Sequence, residues 1–463
     1  MRFVKYSTWS RQKGSVLIIS MIFILVFSAL AVSMASLSGT NVQLANNHHK
    51  VNCALACAES GIEVMRYWLD KVSISGTTPS GQIFEEISAV FQSQLSALPN
   101  ITPYDYNSSV IAVPAVTLNS QYNEAFSALI TQIDSQTFQL DVTGVHDSTR
   151  RTIRTRYTLD VTGHTVFDFG IATKGPLSLA GNIQLEGLNI SVESNVYIES
   201  ENSNLALSII GNSQIAGDVK IVNPIANVDL QGGQAGIGGE TGQSAIDNHV
   251  LFGVPPTQFP EPNPAYFSDL ATNIIDSTTD TSADAVFENV RIIAGTNPDF
   301  SGHVTLNGIV FIETPNILTF NGNTTVTGII VGNGDYNDNS GTNKINFLGD
   351  VDSYPVTDLP DQPQFAQIRE ETGTFLLSPG FALSFGGSFS TLNGAIAGNG
   401  IDFFGNAGGT ISGSVINYSD NEMTLSGNSD LLFNRSGVTD VPAGFVPEIT
   451  LHYDPNSYSE III

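Results

Sequence analysis

The sequence predicts an α+β unit followed by an all-β region. A long N-terminal transmembrane and amphipathic helix lies on a small sheet, and a parallel β-helix-like domain follows. Three observations predict this. Residues 16–37 carry no charge. Residues 137–163 alternate apolar and polar side chains. From residue 181 onward a short motif bounded by glycines recurs through the rest of the 463-residue chain.

The helix comes first. Val16 to Leu37 is 22 residues, and a helix of that length spans about 33 Å, enough for the hydrocarbon core of a bilayer. Arg2, Lys5, Arg11 and Lys13 precede it with no acid among them. That basic flank should stay cytoplasmic, which puts the rest outside as a single-pass inner-membrane protein. A cleaved signal peptide has a shorter apolar run ending at a small-residue cleavage site. Here the helical pattern continues instead. Val51, Leu55, Ala58, Ile62, Met65 and Leu69 step by 4, 3, 4, 3 and 4 and share one helix face. One helix of about 55 residues is predicted, entering a folded domain with a bend near Ser38-Gly39. Cys53 and Cys57 sit on neighbouring turns of it. That placement suits a disulfide poorly, so both read as packing residues.

A short basic leader, a glycine and about 20 apolar residues leading into an amphipathic helix resemble a type IV prepilin. More narrowly, "RQKGSVLIISMIFILVFSALAVSMASLSG" followed by "ALACAESGIEVMRYWL" (54–69) resembles the N-terminal domain of PilX-type minor pilins. The resemblance covers the first 70 residues or so. It implies that a prepilin peptidase cuts between Gly14 and Ser15 and methylates Ser15. Residues 1–14 are then the leader and 15–37 the start of the transmembrane helix. It also implies partnership with other pilin-like subunits. A glycine before the cut lets the peptidase draw the backbone close. Major pilins carry a glutamate at the fifth mature position, where this chain has Ile19. A carboxylate in the apolar layer is costly unless paired, and in major pilins the partner is a neighbouring subunit's terminal amine. Its absence implies a minor or tip subunit of a type IV pilus or type II secretion-like filament. A signal-anchored surface protein that never polymerises is the other reading.

Charge divides the chain. Up to Gly163 there are 11 basic and 11 acidic residues; from His164 onward there are 6 and 33, which carries the whole net charge of −27. A domain boundary is expected there, giving 38–163 as amphipathic helix plus α+β domain and 164–463 as an acidic domain. So acidic a region argues against binding nucleic acid.

Within 72–163, "GQIFEEISAVFQSQLSAL" and "SQYNEAFSALITQI" have helical spacing. "TFQLDVTGVHDSTRRTIRTRYTLDVTG" reads as a hairpin turning near "HDS". Arg150, Arg151, Arg154 and Arg156 cluster on its returning strand. They would either dock an acidic partner or lipid headgroups, or pair with acids of the same chain.

The acidic region repeats "GNIQLEG" (181–187), "GNSQIAG" (211–217), "GHVTLNG" (302–308) and "GNTTVTG" (322–328). "SFSTLNG" (388–394) and "TISG" (410–413) are partial copies. Aliphatic segments follow the closing glycines: "LNISV", "DVKIV", "IVFIE", "IIVGN", "AIAGN" and "SVINY". Closing glycines at 308, 328, 394 and 413 leave intervals of 20, 66 and 19 residues, the long one close to three units. Gly and Asn supply corners and aliphatic residues fill the space between them, as in a parallel β-helix. Without a strict six-residue period the right-handed kind is expected. Residues 240–300, with "GVPPTQFPEPNP" and a helical "AYFSDLATNIIDS", read as an insertion. A β-sandwich with glycine turns is the alternative.

Catalytic signals are weak, and no enzyme is expected. His146, His164, His249, His303 and His452 stand alone in sequence. There is no zinc-ligand spacing, nucleophile elbow or phosphate loop, so no metal site is expected. Asp350 and Asp352 could serve as paired carboxylates, which keeps a membrane-anchored enzyme acting on surface polysaccharide as the alternative function. "DYNDNSG" (335–341) resembles part of a calcium loop, but its glycine is one place late and Asn346 stands where the closing glutamate belongs. A polar turn is expected there, with no cofactor. The function expected is presentation of the β-helix at the cell surface for adhesion to a glycan or other surface ligand, or for filament assembly.

Overall fold

A computed structural model describes residues 15–96, 105–107, 110–201, 203–338, 340–437 and 441–461. The chain divides into two units. The first comprises residues up to Ile74, Thr78–Asp160 and Thr450 onward; the second is Val161–Ile449 with Ser75–Thr77.

One unbroken helix, Ser15–Leu69, opens the first unit. Every residue from Ser15 to Leu37 is exposed, and the helix is long and apolar enough to cross a membrane. Burial begins at Ala54 and follows Cys57, Ala58, Gly61, Ile62, Met65 and Leu69. The buried stripe is therefore rotated toward the small residues, leaving Val51 and Leu55 only half-buried. The reason lies in the sheet beneath. A Cβ on Gly144 would collide with the Ala54 carbonyl and the Ala58 nitrogen, and one on Gly61 with Phe126 and Val142. Small residues on both sides bring helix and sheet backbones together.

That sheet has seven strands in the order Ser73–Ser75, Glu448–Ile461, Thr149–Thr162, Thr137–His146, Glu124–Gln132, Val110–Asn119 and Asp105–Asn107. The predicted hairpin is present, with His146 opposite Thr149 and Asp147 at φ 57° in the turn. The helical segment predicted over 81–98 is present as Ile83–Ser96 among the described residues, Phe84 stacking on Phe138 at 5.7 Å. The second predicted helix is instead a strand, Glu124–Gln132, hydrogen-bonded on both sides. The sheet buries Phe126, Ala128 and Ile130 and leaves Leu129 and Ile133 exposed. Those two exposed residues completed the helical spacing. The last strand returns from the acidic region, so in chain order the whole second unit is inserted between two neighbouring strands of this sheet.

In the second unit the chain visits three sheets in rotation, of twelve, nine and seven strands. All pairs whose register is resolved are parallel except Gly236–Ile237 with Glu240–Thr241. The winding does not start at an end. Strand Ile171–Thr173 pairs with Val196–Ile198 on one side and with Val415–Asn417, near the chain's end, on the other. The other two faces close the same way: Leu177 pairs with Leu207 and Met423, and Gln184 with Gln214 and Asp430. From Ile171 the chain winds outward to Val250–Phe252, where helix Gly242–His249 inserts Ala245 into the core. It then resumes at the opposite edge with Asn273–Ile275 and winds back to the start. The stretch 240–300 is thus a crossover that carries strands of the stack at both its ends. The predicted helix there is a short 3₁₀ segment, Pro264–Leu270, before strand Asn273–Ile275.

The seam between first and last turns carries the same corner as its neighbours. Gly181 (φ 127°) lies against the Gly427 carbonyl, and Gly211 (φ 87°) against that of Gly181, distances at which any Cβ would clash. The Asn182 amide donates to Asn428 Oδ1, and Asn212 to Asn182 Oδ1, each at 2.8 Å. The asparagines thus form a ladder across the seam. The 66-residue interval is two turns, not three: Thr324–Asn333 is followed by Val351–Tyr354 and Thr374–Ser378 in one turn, then by Ala395–Gly398. Residues 355–373 lengthen it. Five of the six aliphatic segments contain strands. "LNISV" does not, because Glu193 turns back to accept the backbone N–H of Asn189 at 2.7 Å.

Inside the winding, Phe300, Phe320, Phe347, Phe385 and Phe403 stack at centroid spacings of 4.8, 5.0, 5.0 and 4.9 Å. That repeat is the inter-strand distance of ~4.8 Å. The middle strands of the twelve-stranded face are buried on both sides. Phe259, Phe267, Phe365 and Phe445 cover its outer surface above Ile309, Phe311, Ile329 and Val331. Double burial accounts for the unbroken apolar runs "IVFIE" and "IIVGN".

Candidate functional site

The described residues begin one position after Gly14, so the proposed cleavage site and the leader lie outside them. Ser15 is the first described residue and is helical, and Ile19 lies one turn on; both are exposed. Two of the four clustered arginines pair with acids of the same chain. Arg154 holds both oxygens of Asp141 at 2.7 Å, and Arg151 lies 3.5 Å from Glu460. Asp350 and Asp352 are engaged too: the first accepts the Ser388 amide and hydroxyl (3.1 and 2.8 Å), the second the Ser390 hydroxyl (3.1 Å). In 335–341, Asp335 accepts the Asn337 amide and Asp338 that of Ser340, each at 2.9 Å, which makes local turns. The histidines do not all stand alone. His146 meets Glu124, His164 meets Glu448 and His249 meets Asp218.

A cavity of about 480 Å³ opens on the second unit and had no sequence signal. Its residues come from distant turns. Lys174 follows the first strand of the winding, Glu199 the second-turn strand beside it, and Tyr418 the last turn across the seam. The crossover supplies Phe259 and the 335–341 loop supplies Tyr336. Only the seam brings these together. The Lys174 ammonium lies 5.3 Å from the Phe259 ring centre and 5.8 Å from that of Tyr418, within cation–π range. Tyr418 is buried and donates its hydroxyl to the Pro260 carbonyl at 2.6 Å. Tyr336 packs beside it at 5.7 Å. The run "PPTQFPEPNP" was visible in the sequence, but nothing in it pointed to Lys174 or Glu199.

Burial pushes the Glu199 carboxyl up to about 7; Lys174 opposes the shift, and Glu201 and Asp420 add to it. Between its ordinary value of 4.5 and about 7, the folded chain therefore binds more protons at this site than the unfolded chain. Its contribution to stability falls as pH rises through that window. Wild type should lose more melting temperature than Glu199→Gln between about pH 5 and about pH 8. Equal losses, measured by thermal unfolding, would show an ordinary carboxyl.

No protein-family model matches the chain, and no curated protein does. Among solved structures it is similar to the competence-associated pilin ComZ from Thermus thermophilus, with 12% identity over 89% of this chain and 97% of that one. The TM-score is 0.26. A likeness at that level bears on neither fold nor function.

Proposed function

We propose that this chain is a PilX-like minor or tip subunit of a type IV pilus or type II secretion-like filament, displaying its second unit for adhesion or assembly. One observation carries the reading: a single helix passes from a fully exposed apolar span into a stripe buried on an antiparallel sheet. A span that stays exposed in the monomer needs lipid or like helices around it. Ile19 in place of an acid supports a minor or tip position. The rotation through three parallel sheets supports a β-helix for the second unit, right-handed as nearly all parallel crossovers are.

The partners are other pilin-like subunits, prepilin peptidase and the inner membrane. At the surface the partner is a glycan, whose C–H faces suit Phe259, Tyr336 and Tyr418 and whose hydroxyls suit Lys174 and Glu199. The action is binding, not catalysis. Asp350 and Asp352, on which the polysaccharide-enzyme reading relies, are both taken up in corner hydrogen bonds. No cofactor takes part in this function.

Mass spectrometry of the native chain tests the assignment. An N-terminus at methylated Ser15, lost together with surface display in Gly14→Leu, is the expected result. An intact Met1, or a chain starting beyond residue 37, would overturn it.

A further inference from the structure

The sequence spacing offers no zinc-ligand set, yet the first unit's fold assembles one. Donor atoms of Cys53, Glu124 and His146 all lie within 4.8 Å of one another, and no other such group occurs among the described residues. His146 Nδ1 is 3.1 Å from Glu124 Oε1. On the helix, His49 precedes Cys53 by one turn, its ring nitrogens 3.8 and 3.9 Å from Sγ. We propose that Cys53, Glu124 and His146 bind one divalent transition-metal ion, zinc by preference, with solvent in the fourth position.

The geometry supports this. Around a tetrahedral zinc ion, sulfur, nitrogen and oxygen donors sit about 3.4–3.6 Å apart. The 3.1 Å between His146 Nδ1 and Glu124 Oε1 is close to that spacing and the Cys53 sulfur lies within 4.8 Å of both, so small side-chain shifts complete the set. The chemistry agrees. One thiolate, one imidazole and one carboxylate form a mixed set that suits zinc, and the two anions balance its charge. The nearby cation, Lys50, is held by Asp147 at 2.6 Å. Tyr122 stacks on the His146 ring at 6.5 Å and His49 meets its edge at 6.0 Å, which orients that imidazole.

The location gives the site a consequence. Residues 15–49 of the helix are exposed, and Ala54 is the first that the sheet buries. An ion held by Cys53 on the helix and by Glu124 and His146 on two strands fastens the helix where it leaves the sheet. Bound metal should raise the melting temperature of the first unit and slow amide exchange over residues 49–60.

Titrating Co²⁺ into chelator-stripped full-length chain in detergent micelles tests the proposal. The expected result is saturation at one ion per chain, with a near-ultraviolet thiolate-to-cobalt absorption that Zn²⁺ displaces. Cys53→Ser should abolish that absorption, and Cys57→Ser should keep it, because the Cys57 thiol is buried outside the cluster. His146→Gln should weaken Zn²⁺ binding by at least about tenfold, the lower end of what losing even an outer-shell partner costs. Failure of the wild-type chain to take up one equivalent overturns the proposal without reference to any variant. Absorption that survives Cys53→Ser overturns it as well.

Discussion

Valine at position 144 should cost the first unit about 3 kcal/mol or more, lowering its melting temperature by roughly 10 °C. Overpacking is usually relieved by moving a side chain. Here the atoms in the way are the Ala54 carbonyl and the Ala58 nitrogen, which belong to a hydrogen-bonded helix. Relief requires lifting that helix off the strand, which opens contacts along Cys57, Gly61, Ile62 and Met65 as well. Valine suits strands in general, so propensity would predict a mild effect or a gain. The two arguments have opposite signs. Thermal unfolding in detergent decides between them, and an unchanged midpoint would mean that helix and sheet are farther apart than described.

Phe347→Ala should destabilise the second unit by about 3–5 kcal/mol. Its ring is buried and stacked between Phe320 and Phe385, each at 5.0 Å, with Phe375 at 6.5 Å. Alanine leaves a gap inside a narrow winding whose walls are tied by strand pairing on both sides, so collapse around it is limited. In a stacked array each turn is stabilised chiefly by its neighbours. The loss should therefore also broaden the urea transition as turns on either side uncouple. Phe347→Leu, which keeps most of the volume, should cost far less. A wild-type midpoint for the alanine variant would show that the ring at this position adds nothing to the stability of the winding.

What could be read beforehand was local. The apolar span, the helix at 83–96 and the hairpin turning at Asp147 each rest on a pattern within a few residues, and each is present. Glu124–Gln132 was misread because Phe126, Leu129, Ile130 and Ile133 fit helical spacing as well as Phe126, Ala128 and Ile130 fit alternation. Only the neighbouring strands decide between the two. The glycine repeat pointed to corners, yet not to the order of stacking. "GNSDLLF" (427–433) lines up residue for residue against "GNIQLEG" (181–187), but nothing in either segment says that they touch. The sites were hidden for the same reason. Cys53 lies on the helix, whereas Glu124 and His146 arrive from strands far along the chain.

The seam also constrains manufacture. A ribosome delivers Ile171–Thr173 long before Val415–Asn417, so the earliest-made turns carry an open, unpaired flank until synthesis is nearly complete. Open strand flanks recruit other chains. A premature stop anywhere between 253 and 414 would leave that flank permanently bare. Such fragments should aggregate, whatever their length, instead of folding as shorter versions of the same unit.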